Sequence, residues 1–343
     1  MDILSIESSC DETCASVVRN GRTVLSNIVS SQIETHALYG GVVPEIASRA
    51  HAQAISGVTS MALEKAGLSL TDIDAVAVTN RPGLIGSLLV GTNFAKSLAY
   101  SLGVPLIPVH HIKAHVAANY TCFNGIQNEL LEPPFTALVI SGGHTSLINV
   151  KNYVDFEVIG RTRDDAAGES FDKVARLLGL PYPGGAKMDI AAKDGDCLAF
   201  SFPKAKVRDC PYDFSFSGLK TCAVNLIHNA EQIGKKLYVP DVAASFTKAV
   251  CDEITSRVEL LFSVPDLKIS DKFVIAGGVA ANSHLRHALS DTCKKHGVRF
   301  FMPDISLCGD NGVMTGAQGF YEYKYSSANF HDLSLNAYAS CEL

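Results

Sequence analysis

Short apolar runs alternate along this chain with longer stretches in which apolar residues recur every three to four positions, the pattern of strands interleaved with amphipathic helices. Strands are predicted at Asp2–Ile6, Cys14–Val18, Ala75–Val78, Val104–Val109, Ala137–Ile140, Ser146–Val150, Phe156–Ile159 and Phe273–Ala276. Helices are predicted at Ile46–Ala66, Gly86–Leu102, Asp164–Leu178, Val242–Phe262 and Gly309–Tyr323. Such alternation predicts mixed α/β domains. One device occurs twice: the first strand runs into Glu7-Ser8-Ser9-Cys10-Asp11-Glu12-Thr13 and a second strand, and Ala137–Ile140 runs into Ser141-Gly142-Gly143-His144-Thr145 and a further strand. A third apolar strand meets Gly277-Gly278-Val279-Ala280-Ala281-Asn282 and then a helix marked by Leu285, Ala288 and Leu289. A glycine pair after a buried strand lets backbone N–H groups approach an anion closely. Three such turns, two of related layout, predict a duplicated fold closing on a nucleotide.

Composition narrows the class without choosing a function. At 343 residues, 47% of them hydrophobic, the chain can bury a large core, and its length suggests two domains. The segment Phe123–Pro134, with Asn-Gly, Gln-Asn and Pro-Pro, is the expected boundary. No run approaches the ~20 apolar residues of a membrane span, and the N-terminus enters a strand without a basic leader, so a cytoplasmic protein is expected. The ten cysteines form no CxxC pair and read as reduced core or incidental residues. A net charge of -6 argues against gripping nucleic acid by charge alone. In the irregular stretch Asp194–Ser217, Lys204, Lys206 and Arg208 read as a solvated loop or a phosphate-contacting surface.

The sharpest chemical signal is His111-Ile112-Lys113-Ala114-His115. In a helix, that spacing stacks two imidazoles one turn apart, where they can share a metal ion. The pair follows a predicted strand, and ligand sites gather at the carboxyl ends of strands in α/β folds. Two ligands are too few for a tight site, so a helix carrying two polar residues is the plain alternative.

These motifs, together with Pro44-Glu45-Ile46-Ala47-Ser48-Arg49, Asp164-Asp165-Ala166-Ala167-Gly168-Glu169, Tyr182-Pro183-Gly184-Gly185, Phe216-Ser217-Gly218-Leu219-Lys220-Thr221 and Gly309-Asp310-Asn311-Gly312, resemble in order the bacterial and organellar tRNA threonylcarbamoyladenosine transferases, the TsaD family, formerly described as O-sialoglycoprotein endopeptidases. The resemblance covers residues 2 to about 325. It implies two ribonuclease-H-like domains of the actin, sugar-kinase and Hsp70 type around a nucleotide cleft. The first would span 1–132 with the C-terminal helix at about 309–325, and the second 133–308.

By the same resemblance the metal ligands are His111, His115 and Asp310, a set with open positions that suits zinc or ferrous iron. The substrate threonylcarbamoyl-AMP would lie with its phosphate and carbamoyl end near Val139, Ile140, Ser141, Gly142 and Gly143, and its adenosine near Asp172, Gly185, Asp189 and Asn282. Asp172 and Asp189 suit ribose, because a carboxylate accepts both hydroxyls of a vicinal diol. The implied reaction passes the threonylcarbamoyl group to N6 of adenosine 37 in tRNAs reading ANN codons and releases AMP. Asp11 and Glu12 are candidates for taking the amine proton or steering tRNA, or they simply cap their turn. Implied partners are tRNA, a paralogous TsaB-type subunit and a TsaE-type ATPase, with no membrane. Isolated, the chain is expected to bind tRNA poorly, its partners completing the basic surface.

Two rival readings are weaker. A zinc peptidase helix carries Glu after its first histidine, and here that position is Ile112. A kinase or ATPase of the same fold has no need of a histidine-rich metal site. One residue departs from the family pattern: Arg81 stands where relatives carry the first glycine of Gly-Pro-Gly, and would be strained if that turn required positive φ.

Overall fold

The computed structural model describes residues 1–123, 130–204, 207, 210–264 and 270–343. In chain order the elements begin with β1 (Asp2–Glu7), β2 (Glu12–Arg19), β3 (Thr23–Ser31), α1 (Ile33–Ala37), α2 (Pro44–Ala66), β4 (Ala75–Arg81), α3 (Ile85–Leu102), β5 (Leu106–His110) and α4 (His111–Ala117). They continue with β6 (Phe135–Ile140), β7 (Thr145–Val150), β8 (Phe156–Arg161), α5 (Ala167–Leu177), α6 (Gly184–Ala191), α7 (Ser217–Gln232), α8 (Val239–Phe262), β9 (Lys272–Ala276), α9 (Ser283–Lys295), β10 (Arg299–Phe301) and α10 (Gly312–Tyr325). Two compact units result: Met1–Pro133 with Val150–Glu157 and Pro303–Leu343, and Pro134–Asn149 with Val158–Met302.

The first unit is built on a sheet ordered β3-β2-β1-β4-β5. β1 pairs antiparallel with β2 and parallel with β4, and β4 pairs parallel with β5. Its central strands are buried on both faces, so β4 reads Ala-Val-Ala-Val without alternation. On one face Ile6, Val76 and Val78 pack with Ile55, Val58 and Ala62 of α2 and Ala95 and Ala99 of α3. On the other, Ile3, Ala77, Ile107 and Val109 pack with Ala114 of α4 and Val313 and Met314 of α10. α10 lies unusually close to the strands. A Cβ added at Gly312 would fall 2.8 Å from Ser16 N, and one at Gly319 2.7 Å from Ala77 Cβ. Side-chain volume is what this seat excludes.

The second unit repeats the plan. Its sheet runs β10-β9-β6-β7-β8, the same order with β6 in the place of β1. The duplicated strand-turn-strand device is therefore the central strand and hairpin neighbour of each sheet. Gly277, at φ 91°, ends β9 where a Cβ would meet Ile140 O at 2.3 Å, so only glycine lets these two strand ends converge.

Several boundaries differ from the sequence pattern. The helix predicted from Asp164 starts at Ala167, because the Asp164 carboxylate instead accepts the N–H groups of Phe216 and Ser217 and caps α7. The helix predicted from Gly309 starts at Gly312, with the Asn311 side chain accepting the Met314 N–H, which leaves Asp310 in the preceding turn. β3, α1, α6, α7 and β10 were not predicted; β3 is half-buried along most of its length and α7 buries only Leu219, Ala223, Ile227 and Ala230. The cationic loop at Lys206 and Arg208, and positions 124–129 of the expected boundary, lie outside the described residues.

Candidate metal centre

The two histidines open α4 directly after β5, and all three proposed ligands lie in the first unit. His110 caps the helix, its Nδ1 accepting the Ile112 N–H at 3.2 Å. One turn of helix then carries both imidazoles to one side, with ring centroids 4.5 Å apart. Each turns Nε2 toward Asp310 Oδ1, at 3.7 Å from His111 and 3.3 Å from His115. The three ligand atoms lie within 4.8 Å of one another. Donors bound at 2.0–2.2 Å to a single tetrahedral ion sit roughly 3.3–3.5 Å apart, so the space matches one ion. His115 makes the strongest test of fit. It is 1% exposed, and among the described residues neither ring nitrogen makes a hydrogen bond, a cost that coordination through Nε2 would offset.

Charge around this group is concentrated and buried. Glu7 faces His111 Nδ1, with Oε2 at 3.4 Å, and Ser9 Oγ stands 3.1 Å from the same nitrogen. Burial works against the His111 imidazolium, but the carboxylates of Asp310 and Glu7 outweigh it and raise its pKa to about 9. Burial would likewise raise Glu7, yet His111 holds it below the usual carboxylate range. His115 is pushed down by burial and by the neighbouring His111 charge. Burial, then Asp310 and Asp11, push Glu12 up to about 10. The carboxylates of Glu7 and Asp310 thus face His111 from both sides of its ring, a concentration of negative charge that a divalent cation can balance.

Of the two candidate bases, Asp11 is buried in the β1–β2 turn and Glu12 is half-buried as the first residue of β2, where burial and the neighbouring Asp310 and Asp11 disfavour its ionised form while the metal is absent. Ile112 is buried, where a zinc peptidase would need an exposed glutamate base. Arg81 is the last residue of β4, paired with His110, and among the described residues Asn20 is the one non-glycine with positive φ. Arginine is therefore unstrained at this position, and the turn does not need the family's glycine.

The second unit gathers the other candidates into two groups. Val139 and Ile140 end β6, and the turn after them closes as Ser141 N–H donates to His144 O at 2.8 Å. Gly142 O accepts the Glu169 N–H at the start of α5, and space is open around Gly142 and Gly143. On α6, Gly185 N–H donates to Asp172 Oδ1 at 3.1 Å. One turn on, Asp189 accepts from Ser283 N–H, Ser283 Oγ and His284 Nδ1 at the start of α9, where Asn282 Oδ1 accepts the Leu285 N–H. Both Asp189 and Asn282 thus support helix ends.

Residues 23–317 match the sequence model of the family described as TsaD, tRNA N6-adenosine threonylcarbamoyltransferase. The chain belongs to the TsaD family. A tRNA N6-adenosine threonylcarbamoyltransferase of Clostridium perfringens is 51% identical over 335 residues, covering 98% of this chain and 96% of the relative. One of Clostridium botulinum is 49% identical over 344 residues, covering 100% and 98%. Among solved structures, T.kodakarensis HypF gives a TM-score of 0.60 at 16% identity over 94% of this chain and 48% of its own. The Acidaminococcus fermentans (R)-2-hydroxyglutaryl-CoA dehydratase component A gives 0.54 at 14% identity over 96% and 100%. These two likenesses concern the fold alone. As in other TsaD-family members the activity class is transferase, and among the described residues no helix is long and apolar enough to cross a membrane.

Sequence reasoning passed over Glu7, Ser9 and His51. Strand periodicity could have found the first: Ile3, Ser5 and Glu7 share one face of β1, and Ser5 Oγ donates to Gly312 O on that side. His51 donates from Nε2 to Cys10 O and accepts from Thr13 Oγ1, bracing the β1–β2 turn from α2.

Proposed function

We propose that this chain transfers the threonylcarbamoyl group of threonylcarbamoyl-AMP to N6 of adenosine 37 in tRNA and releases AMP, with one divalent ion held by His111, His115 and Asp310. The observation that carries the reading is the His-His-Asp cluster of a TsaD-family chain, its two histidines buried and its aspartate half-buried. Bound there, zinc or ferrous iron would supply Lewis acidity toward a substrate oxygen. The side chains do the rest. His111 and His115 present neutral nitrogens, and Asp310 supplies the anionic ligand that neutralises part of the ion's charge.

For the adenylate, the open backbone at Gly142 and Gly143 suits a phosphate. Asp189 Oδ1 is crowded by donors, while among the described residues Oδ2 accepts from Ser283 Oγ alone and keeps a lone pair for a ribose hydroxyl. Attack of the adenine amine forms the new C–N bond as the carbamoyl C–O bond to phosphate breaks, and the amine proton passes to a base, for which Asp11 and Glu12 are the candidates. The anhydride is already activated, so positioning and charge stabilisation are the main demands on the protein.

Charge favours one of the two units for tRNA contact. The first unit carries nine Lys and Arg against eighteen Asp and Glu, and the second twenty against seventeen. Phosphate contacts therefore belong on the second unit, with a TsaB-type paralogue and a TsaE-type ATPase as the partners the family resemblance implies. The test is nucleoside analysis of unmodified tRNA incubated with the chain, those partners and threonylcarbamoyl-AMP. Threonylcarbamoyladenosine should form with wild type and fail to form with Asp310→Asn; ATP turnover by the chain alone, with no modified nucleoside in the full mixture, would favour the kinase or ATPase reading.

A further inference from the structure

Glu7 is wholly buried at the end of β1, and a buried carboxylate is costly unless donors surround it. Donors do surround it. Oε1 accepts the Ser9 N–H at 2.6 Å, while Oε2 stands 3.4 Å from His111 Nδ1 and 3.5 Å from Thr315 Oγ1. We propose that Glu7 is the positioning residue of the metal centre: it holds His111 as the tautomer protonated on Nδ1, so that Nε2 offers its lone pair to the ion. The inference rests on the reading of His111, His115 and Asp310 as ligands.

A competing arrangement makes this role necessary. Ser9 Oγ is nearer to the same nitrogen, at 3.1 Å, and a hydroxyl can either donate or accept. If it donated, Nδ1 would be the acceptor, the ring proton would sit on Nε2, and His111 could not bind metal. An ionised carboxylate can only accept, so Glu7 selects the Nδ1–H form and the hydroxyl falls in beside it as a second acceptor. Glutamine cannot substitute. Ser9 N–H and His111 Nδ1–H approach different oxygens of Glu7, and an amide has one acceptor arm, so either orientation sets N–H against N–H. His115 lacks such support, since its Nδ1 makes no hydrogen bond. Among the described residues, a carboxylate stands behind Nδ1 of His111 and none behind Nδ1 of His115.

The experiment titrates zinc into metal-free wild type, Glu7→Gln, Ser9→Ala and His115→Ala against a chromogenic chelator, with circular dichroism to confirm folding. Wild type should take up one equivalent and His115→Ala should lose it. Glu7→Gln should bind roughly 10- to 100-fold more weakly. Ser9→Ala should stay within about threefold of wild type, because the carboxylate still holds the Nδ1 proton. Wild-type affinity in Glu7→Gln, when His115→Ala has lost the zinc, overturns the role of Glu7 and leaves the ligand reading standing. A wild-type chain without zinc, or an indifferent His115→Ala, overturns the ligand reading and this inference with it. Should Glu7→Gln not fold, Ser9→Ala decides: a loss beyond about tenfold would make the hydroxyl the partner of His111 and overturn the proposal.

Discussion

Gly312→Ala tests how the packing of α10 sets the metal centre. The added Cβ would lie 2.5 Å from Ser16 Oγ, 2.8 Å from Ser16 N and 2.9 Å from Ala15 C, where ordinary contact begins at 3.4 Å. Ser16 Oγ is held by its hydrogen bond to Asn27, and the other two atoms are β2 backbone, so the start of α10 must lift by about 0.5 Å. Overpacking of this kind costs about 1–3 kcal/mol, offset by no more than about 1 kcal/mol of helix propensity. Asp310 sits two residues upstream and moves with the helix. Metal sites tolerate only ~0.2 Å in ligand distance, so zinc affinity should fall roughly tenfold. Urea unfolding of the metal-free chain and chelator competition measure the two effects. Gly316→Ala is the control: its Cβ would meet side-chain atoms, Val18 Cγ2 at 2.8 Å and Ser5 Oγ at 2.9 Å, one turn further from Asp310. It should lose comparable stability and keep zinc affinity within about threefold. If Gly312→Ala is destabilised but binds zinc like wild type, the seat of α10 does not place Asp310.

Three further outcomes follow from named contacts. His110 is 4% exposed, its pKa lowered to about 3 by burial against 6.5 unfolded, and its Nδ1 is occupied as the cap of α4. Because the unfolded chain takes up this proton first, the contribution is whole above pH ~6.5 and shrinks as pH falls, by on the order of 3 kcal/mol at pH 4. His110→Asn, which keeps a capping oxygen, should flatten the urea-stability profile of the metal-free chain over that range, and an unchanged slope would contradict the assignment. Asp189→Ala should weaken threonylcarbamoyl-AMP binding by about tenfold or more while zinc stoichiometry stays at one; loss of zinc would show the residue misplaced. Ending the chain at Ser334 removes the hydrogen bonds of Asn336 O and Tyr338 N–H to Asn80 and of Ala339 O to Gly83 N–H, so the urea midpoint should drop by the equivalent of about 2–4 kcal/mol. An unchanged midpoint would mean that this tail only rests on the surface.

The sequence was most readable where chemistry is local. The four-residue histidine spacing and the strand before it are short-range signals, and the structure has them as α4 and β5. The repeated strand-turn-strand device announced a duplication that the two sheets carry in identical strand order. Asp310 could not be read that way, since only tertiary packing of α10 on β1 and β2 brings it to the histidines. Its place came from motif order. Asp164 shows a different failure: an acidic residue before an apolar run looks like a helix start, but its carboxylate caps α7, which is distant in sequence. Glu7 was legible in principle, since the alternation of β1 turns it toward the face that α4 and α10 cover, but a charged residue at a strand end reads by default as the beginning of a loop.

The central claim is that His111, His115 and Asp310 hold one divalent ion. Anomalous diffraction at the zinc edge from crystals of the zinc-loaded chain tests it most directly. A single strong peak is expected about 2.0–2.2 Å from His111 Nε2, His115 Nε2 and an Asp310 carboxylate oxygen. A peak bound through either histidine Nδ1, or one more than about 3 Å from Asp310, would contradict it.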